Sequence, residues 1–278
     1  MSVFISKKEA AAMQKVFCST LISSLILLAA CGVSDPARLK IINGVKVTAD
    51  DPIMHHTAAL VTQTGNLQCS AAAIAPNLFI TAAHCVYRRD LTGWTIRVGS
   101  TAGDTETLDV ERAITHENFN PALLNAEHAE NAEYPVSAPN DLAIIKTTQS
   151  SGTLTPVAVI TADVRAGLTA PFEITIAGYG RTEPNNRDSR GTLYKATVSV
   201  KNQNATIKEF TSQDAAMKMA CHGDSGGPAF YKQSKDLVLI GVISRGTTSC
   251  DLSTTFYTDV AAFRQFIEQS SGQLTNVN

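Results

Sequence analysis

The stretch Cys221-His222-Gly223-Asp224-Ser225-Gly226-Gly227-Pro228 constrains this chain more than any other. Glycine weakens strand and helix interiors alike, so a serine set among three of them marks a backbone that must bend tightly and leave its N–H groups available. Such a serine is a candidate nucleophile. The run Gly-Asp-Ser-Gly-Gly also satisfies the G-x-S-x-G pattern of a serine on a strand-to-helix elbow, so two unrelated scaffolds compete for it.

The histidines decide between them. Six are present, at 55, 56, 84, 116, 128 and 222, and none follows Ser225. The elbow scaffold, that of the α/β-hydrolases and their esterases, needs the order serine, acid, histidine and is therefore excluded. The order histidine, aspartate, serine remains open.

Lys+Arg (23) and Asp+Glu (25) nearly cancel and no basic run stands out, which argues against a nucleic-acid partner. The first residues read as an export signal over 1–30. Lys7, Lys8 and Lys15 precede an apolar run from Val16 to Ala30 that is short for a membrane span, and Met13 offers an alternative start. Leu28-Ala29-Ala30-Cys31 resembles the bacterial lipobox, in which the cysteine is lipidated. Gly32 after it favours, by analogy, the outer membrane. Ordinary secretion with Cys31 as a free thiol is the alternative. Residues 31–40 read as a polar linker or propeptide. With Cys18 lost in the signal and Cys31 lipidated, Cys69, Cys85, Cys221 and Cys250 remain. An even count in an exported chain implies disulfides, with three connectivities open. No spacing suggests zinc.

From Ile41 onward short runs rich in Ala, Val, Ile and Thr alternate with turn residues. Strands are expected over 57–63, 67–75, 78–81, 95–98, 107–114 and 141–147. After a linker near 150–157 they resume at 173–177, 192–200, 229–231, 237–244 and 255–258. This spacing predicts an all-β chain, a sandwich or barrels, and no βαβ units. Two halves of about six strands each fit two antiparallel barrels, near 41–150 and 151–258. Apolar residues at helical spacing then predict a C-terminal α-helix near 259–270. Residues 117–140 are expected to form a long surface loop with one helical turn near 122–129.

Three motifs carry a specific resemblance. Thr81-Ala82-Ala83-His84-Cys85, Asn140-Asp141-Leu142-Ala143-Ile144-Ile145 and Gly223-Asp224-Ser225-Gly226-Gly227-Pro228 resemble, in order, the histidine, aspartate and nucleophile motifs of the trypsin/chymotrypsin-like serine proteases. Ile41-Ile42-Asn43-Gly44, Ala177-Gly178-Tyr179-Gly180 and Ser244-Arg245-Gly246 add to the likeness, which spans 41 to about 270. The resemblance implies a chymotrypsin-like double barrel over 41–278 and endopeptidase chemistry on protein or peptide substrates, in a monomer without cofactor or metal. Asp104, Glu106 and Asp109 are only faintly similar to the family's calcium loop. His84 is then the general base, Asp141 its orienting carboxylate and Ser225 the nucleophile, with the N–H groups of Gly223 and Ser225 as oxyanion hole. The family's pairings imply disulfides Cys69–Cys85 and Cys221–Cys250. They also imply a zymogen cleaved at Lys40–Ile41, whose new Ile41 ammonium pairs with Asp224.

At the substrate pocket the likeness thins. Met219 stands where trypsin-like members carry an aspartate, Thr255 where many have glycine, and Arg245 where tryptophan is usual; Ser244 and Gly246 complete the set. No carboxylate occupies these positions, which predicts small-to-medium apolar P1 residues. It follows that a separate trypsin-like protease activates the chain. A catalytically inactive homologue serving as a binding module is the competing reading, although such proteins normally lose a triad member and this one keeps all three.

Overall fold

The computed structural model describes residues 41–125, 139–246, 250 and 254–275. The first six-stranded barrel contains β2 (Thr57–Val61), β3 (Leu67–Ala75), β4 (Leu78–Thr81), β5 (Thr95–Val98), β6 (Glu106–Thr115) and β7 (Ala143–Thr147). Their order around the ring is β2-β3-β4-β7-β6-β5, and β5 pairs back onto β2 to close it. Every residue of β2 and β4 is buried, which is why these segments read as continuous apolar runs rather than as alternation. Ala71, Ala72 and Ala73 of β3 are fully enclosed, small residues that let neighbouring backbones close in on both faces.

The second barrel is formed by β9 (Phe172–Gly178), β10 (Tyr194–Asn204), β11 (Glu209–Gln213), β12 (Pro228–Gln233), β13 (Asp236–Gly246) and β14 (Thr254–Asp259). The ring runs β9-β10-β11-β14-β13-β12, and β12 pairs with β9 to complete it. In β10, Tyr194, Ala196, Val198 and Val200 point inward and alternate with more exposed residues, the period of two that a half-buried strand requires. Two short strands attach from outside: β1 (Val45–Lys46) pairs with β10, and β8 (Ala158–Val159) lies parallel to β13.

The architecture is therefore the expected pair of closed antiparallel six-stranded barrels followed by a short helix. Asp259 accepts from Ala261 N and starts a 3-10 turn, Val260–Phe263, which passes into an α-helix at Arg264–Thr275, later than the expected 259–270. The helical turn after residue 117 is likewise a 3-10 turn at Pro121–Asn125. The rest of that expected loop, residues 126–138, lies outside the described residues.

Strand β11 went unforeseen because Glu-Phe-Thr-Ser-Gln has no apolar alternation. It is a strand because partners exist on both sides, β10 through Val200↔Ser212 and β14 through Phe210↔Tyr257. The barrels are tied by polar contacts as well as by packing. Tyr179, fully buried after β9, donates from its hydroxyl to Gly99 O of the first barrel at 2.8 Å.

Candidate active site

Each functional side chain sits at the end of a strand. The chain leaves β4 at Thr81, whose Oγ1 donates to Ser70 O at 2.8 Å, and enters a single helical turn, Ala83–Val86, that carries His84. The Cys69–Cys85 disulfide, with Cα atoms 6.2 Å apart, pins that turn to β3. Asp141 lies just ahead of β7, after Asn140 has taken a left-handed φ of 50° to turn the backbone inward.

Asp141 is fully buried and richly satisfied. Its Oδ1 accepts from His84 N at 2.9 Å, and its Oδ2 accepts from His84 Nδ1 and from Ser244 Oγ, both at 2.7 Å. With Nδ1 donating to the carboxylate, the lone pair of His84 falls on Nε2, where a proton acceptor is useful. Burial would push the Asp141 carboxyl up, but the His84 charge and these three donors outweigh it and hold it below the ordinary aspartate value. For His84, burial opposes protonation, yet the adjacent Asp141 charge and hydrogen bond prevail and lift it above the ordinary histidine value; Arg89 and Arg245 act against the lift.

Ser225 is presented by a turn whose shape depends on glycine. Gly226 has φ +81°, and a Cβ there would lie 2.0 Å from Thr81 Oγ1 and 2.3 Å from Ser70 O. Gly223 has φ +101°, with Gly180 Cα 2.9 Å from where a Cβ would stand. The Ser225 carbonyl accepts from Ser70 N at 2.8 Å, while its Oγ makes a long contact, 3.4 Å, to Ser244 O. Among the described residues no hydrogen bond joins Ser225 Oγ to His84. Nucleophile–base contacts of this kind are often loose without substrate.

Two peptide planes beside the serine are held by their carbonyls. His222 O accepts from Arg181 N at 2.8 Å and Asp224 O accepts from Gly227 N at 2.9 Å. Because N–H and C=O oppose each other in a trans peptide, these bonds aim the N–H groups of Gly223 and Ser225 the other way. Among the described residues neither N–H donates to a protein acceptor. Ser70 adds a cross-barrel clamp: its Oγ donates to Gly223 O at 2.9 Å and accepts from Tyr179 N at 3.0 Å. Nothing in the sequence singled out Ser70, whose use depends on two distant backbones meeting it. Thr258 Oγ1, donating to Asp141 O at 3.0 Å, escaped notice for the same reason.

Asp224 is fully buried and accepts from Gly180 N at 2.8 Å and Cys221 N at 2.9 Å. Burial pushes its carboxyl up to about 7, the two backbone donors offsetting only part of the effect. Ile41 is 1% exposed and holds a φ of 37°, a strained value for a β-branched residue. Its neighbours lie along the segment that leads to the nucleophile: Ile42 bridges to Met219, and Asn43 Nδ2 donates to Ala216 O at 2.8 Å. Lys40 and Cys31 lie outside the described residues.

The pocket candidates gather around Ala220. Its N–H donates to Thr255 Oγ1 at 3.2 Å, and its carbonyl is 3.4 Å from where a Cβ on Gly246 would stand. Met219, expected among the substrate-binding residues, is 1% exposed and packs with Cys221, Cys250 and Ile42, so its side chain is enclosed beside a disulfide. Cys221 and Cys250 are joined, with Cα atoms 5.5 Å apart. Arg245 does not lie open on the surface either: it forms a buried ion pair with Glu209, a residue the sequence did not suggest. Cys69, His84 and Cys85 have potential ligand atoms within 4.8 Å of one another, but both sulfurs are spent in a disulfide and offer no thiolate to a metal.

Two closed barrels that bring a histidine, a buried aspartate and a glycine-flanked serine together define a double-barrel serine protease scaffold. Residues 41–267 match the Trypsin family model, and the chain belongs to that family. It is similar to a venom serine protease of Polistes dominula, 27% identical over 87% of this chain and 88% of the relative. Human kallikrein-11 is 28% identical over 77% of this chain and 74% of its own length. A trypsin of Phaedon cochleariae is 28% identical over 73% of this chain and 78% of the relative.

Proposed function

We propose that this chain is an exported serine endopeptidase that cleaves protein or peptide substrates through an acyl-enzyme on Ser225. The observation that carries the reading is the pairing of a carboxylate-oriented His84 with two aimed N–H groups, at Gly223 and Ser225, that meet no acceptor among the described residues. In this mechanism His84 Nε2 takes the Ser225 hydroxyl proton as Oγ attacks the scissile carbonyl. Asp141 stabilises the imidazolium, and the two N–H groups receive the oxyanion. His84 then passes the proton to the leaving amine, and water, activated by the same base, releases the acyl group.

Export is supported by the charged and apolar leader over 1–30 and by the two disulfides, which persist in oxidising compartments. The lipobox-like end of that leader supports a bacterial lipoprotein precursor anchored through Cys31, with 31–40 as propeptide and 41–278 as a monomeric peptidase domain. Cleavage at Lys40–Ile41 would free an ammonium to pair with Asp224, a buried carboxylate that has two backbone donors and, among the described residues, no cation beside it. The strained φ of Ile41 favours the same event, since a free N-terminus is no longer held to that torsion. With no carboxylate at position 219 and Thr255 where many members have glycine, apolar P1 residues of small to medium size are the preferred substrates, so activation falls to a separate trypsin-like protease.

A fluorophosphonate probe should label the wild-type protein and leave Ser225→Ala unlabelled, while N-terminal sequencing of the active form should begin at Ile41. No labelling after cleavage would instead favour an inactive homologue that binds without cutting. Best turnover after Arg in a panel of P1-varied peptides would overturn the specificity.

A further inference from the structure

Behind the triad lies a charged pair that the proposed mechanism does not use. Arg245 on β13 and Glu209 on β11 are 9% and 3% exposed. Their contact is bidentate, Nη1 to Oε1 at 2.6 Å and Nη2 to Oε2 at 2.9 Å, the fork geometry in which an arginine is held most rigidly. The guanidinium carbon lies 4.4 Å from the centroid of the Phe256 ring, which closes one of its faces. Nη1 also reaches Ser244 Oγ at 3.3 Å, and that oxygen is 2.7 Å from Asp141 Oδ2. A hydroxyl has a single proton and a guanidinium can only donate. Ser244, accepting from Arg245, therefore spends its proton on Asp141.

We propose that the Glu209–Arg245 pair is a positioning element of the triad, one that commits the Ser244 hydroxyl as a donor to Asp141 and keeps a permanent cation behind that carboxylate. The inference deepens the proteolytic reading above and rests on it. A cation so placed favours ionised Asp141 and opposes the imidazolium on His84. The charges acting on His84 are Asp141, which holds the proton on, and Arg89 and Arg245, which push it off. Arg89 is exposed and screened by solvent; Arg245 is enclosed and is offset by Glu209 behind it. The pair thus balances the pH at which the general base becomes free, and its two members act in opposite directions.

The test compares Arg245→Gln, Arg245→Lys, Glu209→Gln and the double Glu209→Gln/Arg245→Gln protein, with rates expressed per fluorophosphonate-reactive Ser225. Arg245→Gln should lower kcat about tenfold, with KM changed by less than about twofold, and move the acid limb of kcat/KM to higher pH. Glu209→Gln should move that limb to lower pH. Arg245→Lys keeps the cation and should leave the limb in place while part of kcat is lost. Glu209→Gln leaves a guanidinium buried without its carboxylate and is the variant most exposed to misfolding. The double variant, free of both charges, should fold and show a limb between those of the singles or close to wild type. NMR titration of the His84 ring in a Ser225→Ala background reads the same shifts without turnover, so it answers even if the wild-type chain proves not to be an enzyme. Coincident acid limbs and coincident His84 titrations across the set would overturn the proposal. So would a loss confined to the number of reactive sites, which is what a merely structural pair would give.

Discussion

At the residue scale the site is governed by how little room surrounds Ser225. Gly226 combines a positive φ with contacts that no Cβ could meet, against Thr81 Oγ1 and the Ser70 carbonyl, and both of those atoms belong to the first barrel. Gly226→Ala should therefore lower stability by more than about 3 kcal/mol, or prevent folding, as read from the denaturation midpoint. Ser70 tests the opposite edge of the same turn. Ser70→Ala strands the Gly223 carbonyl and the Tyr179 N–H, loosening the peptide that precedes the nucleophile. A fall in kcat of about tenfold to a hundredfold, with KM little changed, is expected in steady-state assays. In the proposed mechanism His84 supplies the pH dependence. Asp141 holds the imidazole above the ordinary histidine value, and a general base works only when neutral, so kcat/KM should climb as pH rises through a value above that of free histidine. Asp141→Asn removes the charge that raises it and should shift the limb down, alongside a large loss of rate.

At the element scale, strand ends deliver the site and disulfides lock the delivery. Cys221–Cys250 spans 29 residues and ties the start of the nucleophile turn to the chain entering β14. Replacing both cysteines by serine should cost about 3–4 kcal/mol on chain-entropy grounds, measured by denaturant unfolding under non-reducing conditions. Most strands were legible because their apolar runs and turn residues follow the fold's own punctuation; β3, β4 and β5 begin and end where the sequence suggests. The failures share a cause. Strand β11 carries Glu209, Thr211 and Ser212 into the interior, and β1 and β8 are two-residue pairings on the outside of a barrel. Strands β11 and β1 have no apolar run, and β8, within the apolar residues 157–160, is too short to stand out as a strand; each exists because a neighbouring strand offers free backbone groups.

On the scale of the whole molecule, the buried Asp224 makes stability depend on pH, and the cleavage proposed before Ile41 would alter that dependence. In the uncut chain its folded carboxyl titrates at about 7, whereas an unfolded aspartate titrates in the ordinary range near 4. Between those values the native state binds the extra proton, so stability falls as pH rises through the window, by up to about 1.4 kcal/mol per pH unit. The Ser225→Ala precursor, which cannot process itself, should show a lower unfolding midpoint at about pH 7.5 than at about pH 4.5, and Asp224→Asn should flatten the slope. The cleavage proposed before Ile41 would supply a cation for the ionised form. The cut protein should not lose stability over that window.

Motif order excluded the competing scaffold, and the resemblance of three motifs to the trypsin/chymotrypsin-like proteases, added to the strand spacing, pointed to a double barrel and nominated His84, Asp141 and Ser225. A serine nucleophile needs those residue types, and no histidine follows Ser225 to permit the other scaffold. Cysteine number narrowed the disulfides to three patterns, and resemblance chose one. What lay beyond the linear chain were the contacts made by ordinary polar residues far apart in sequence. Ser70 clamps the Gly223 peptide across 153 positions, and Glu209 meets Arg245 across 36. Serine and glutamate carry no local signal for such work. Their roles arise only when barrel closure brings two backbones or two strands to the same point and removes water from between them, so that a hydrogen bond left unmade there would be expensive.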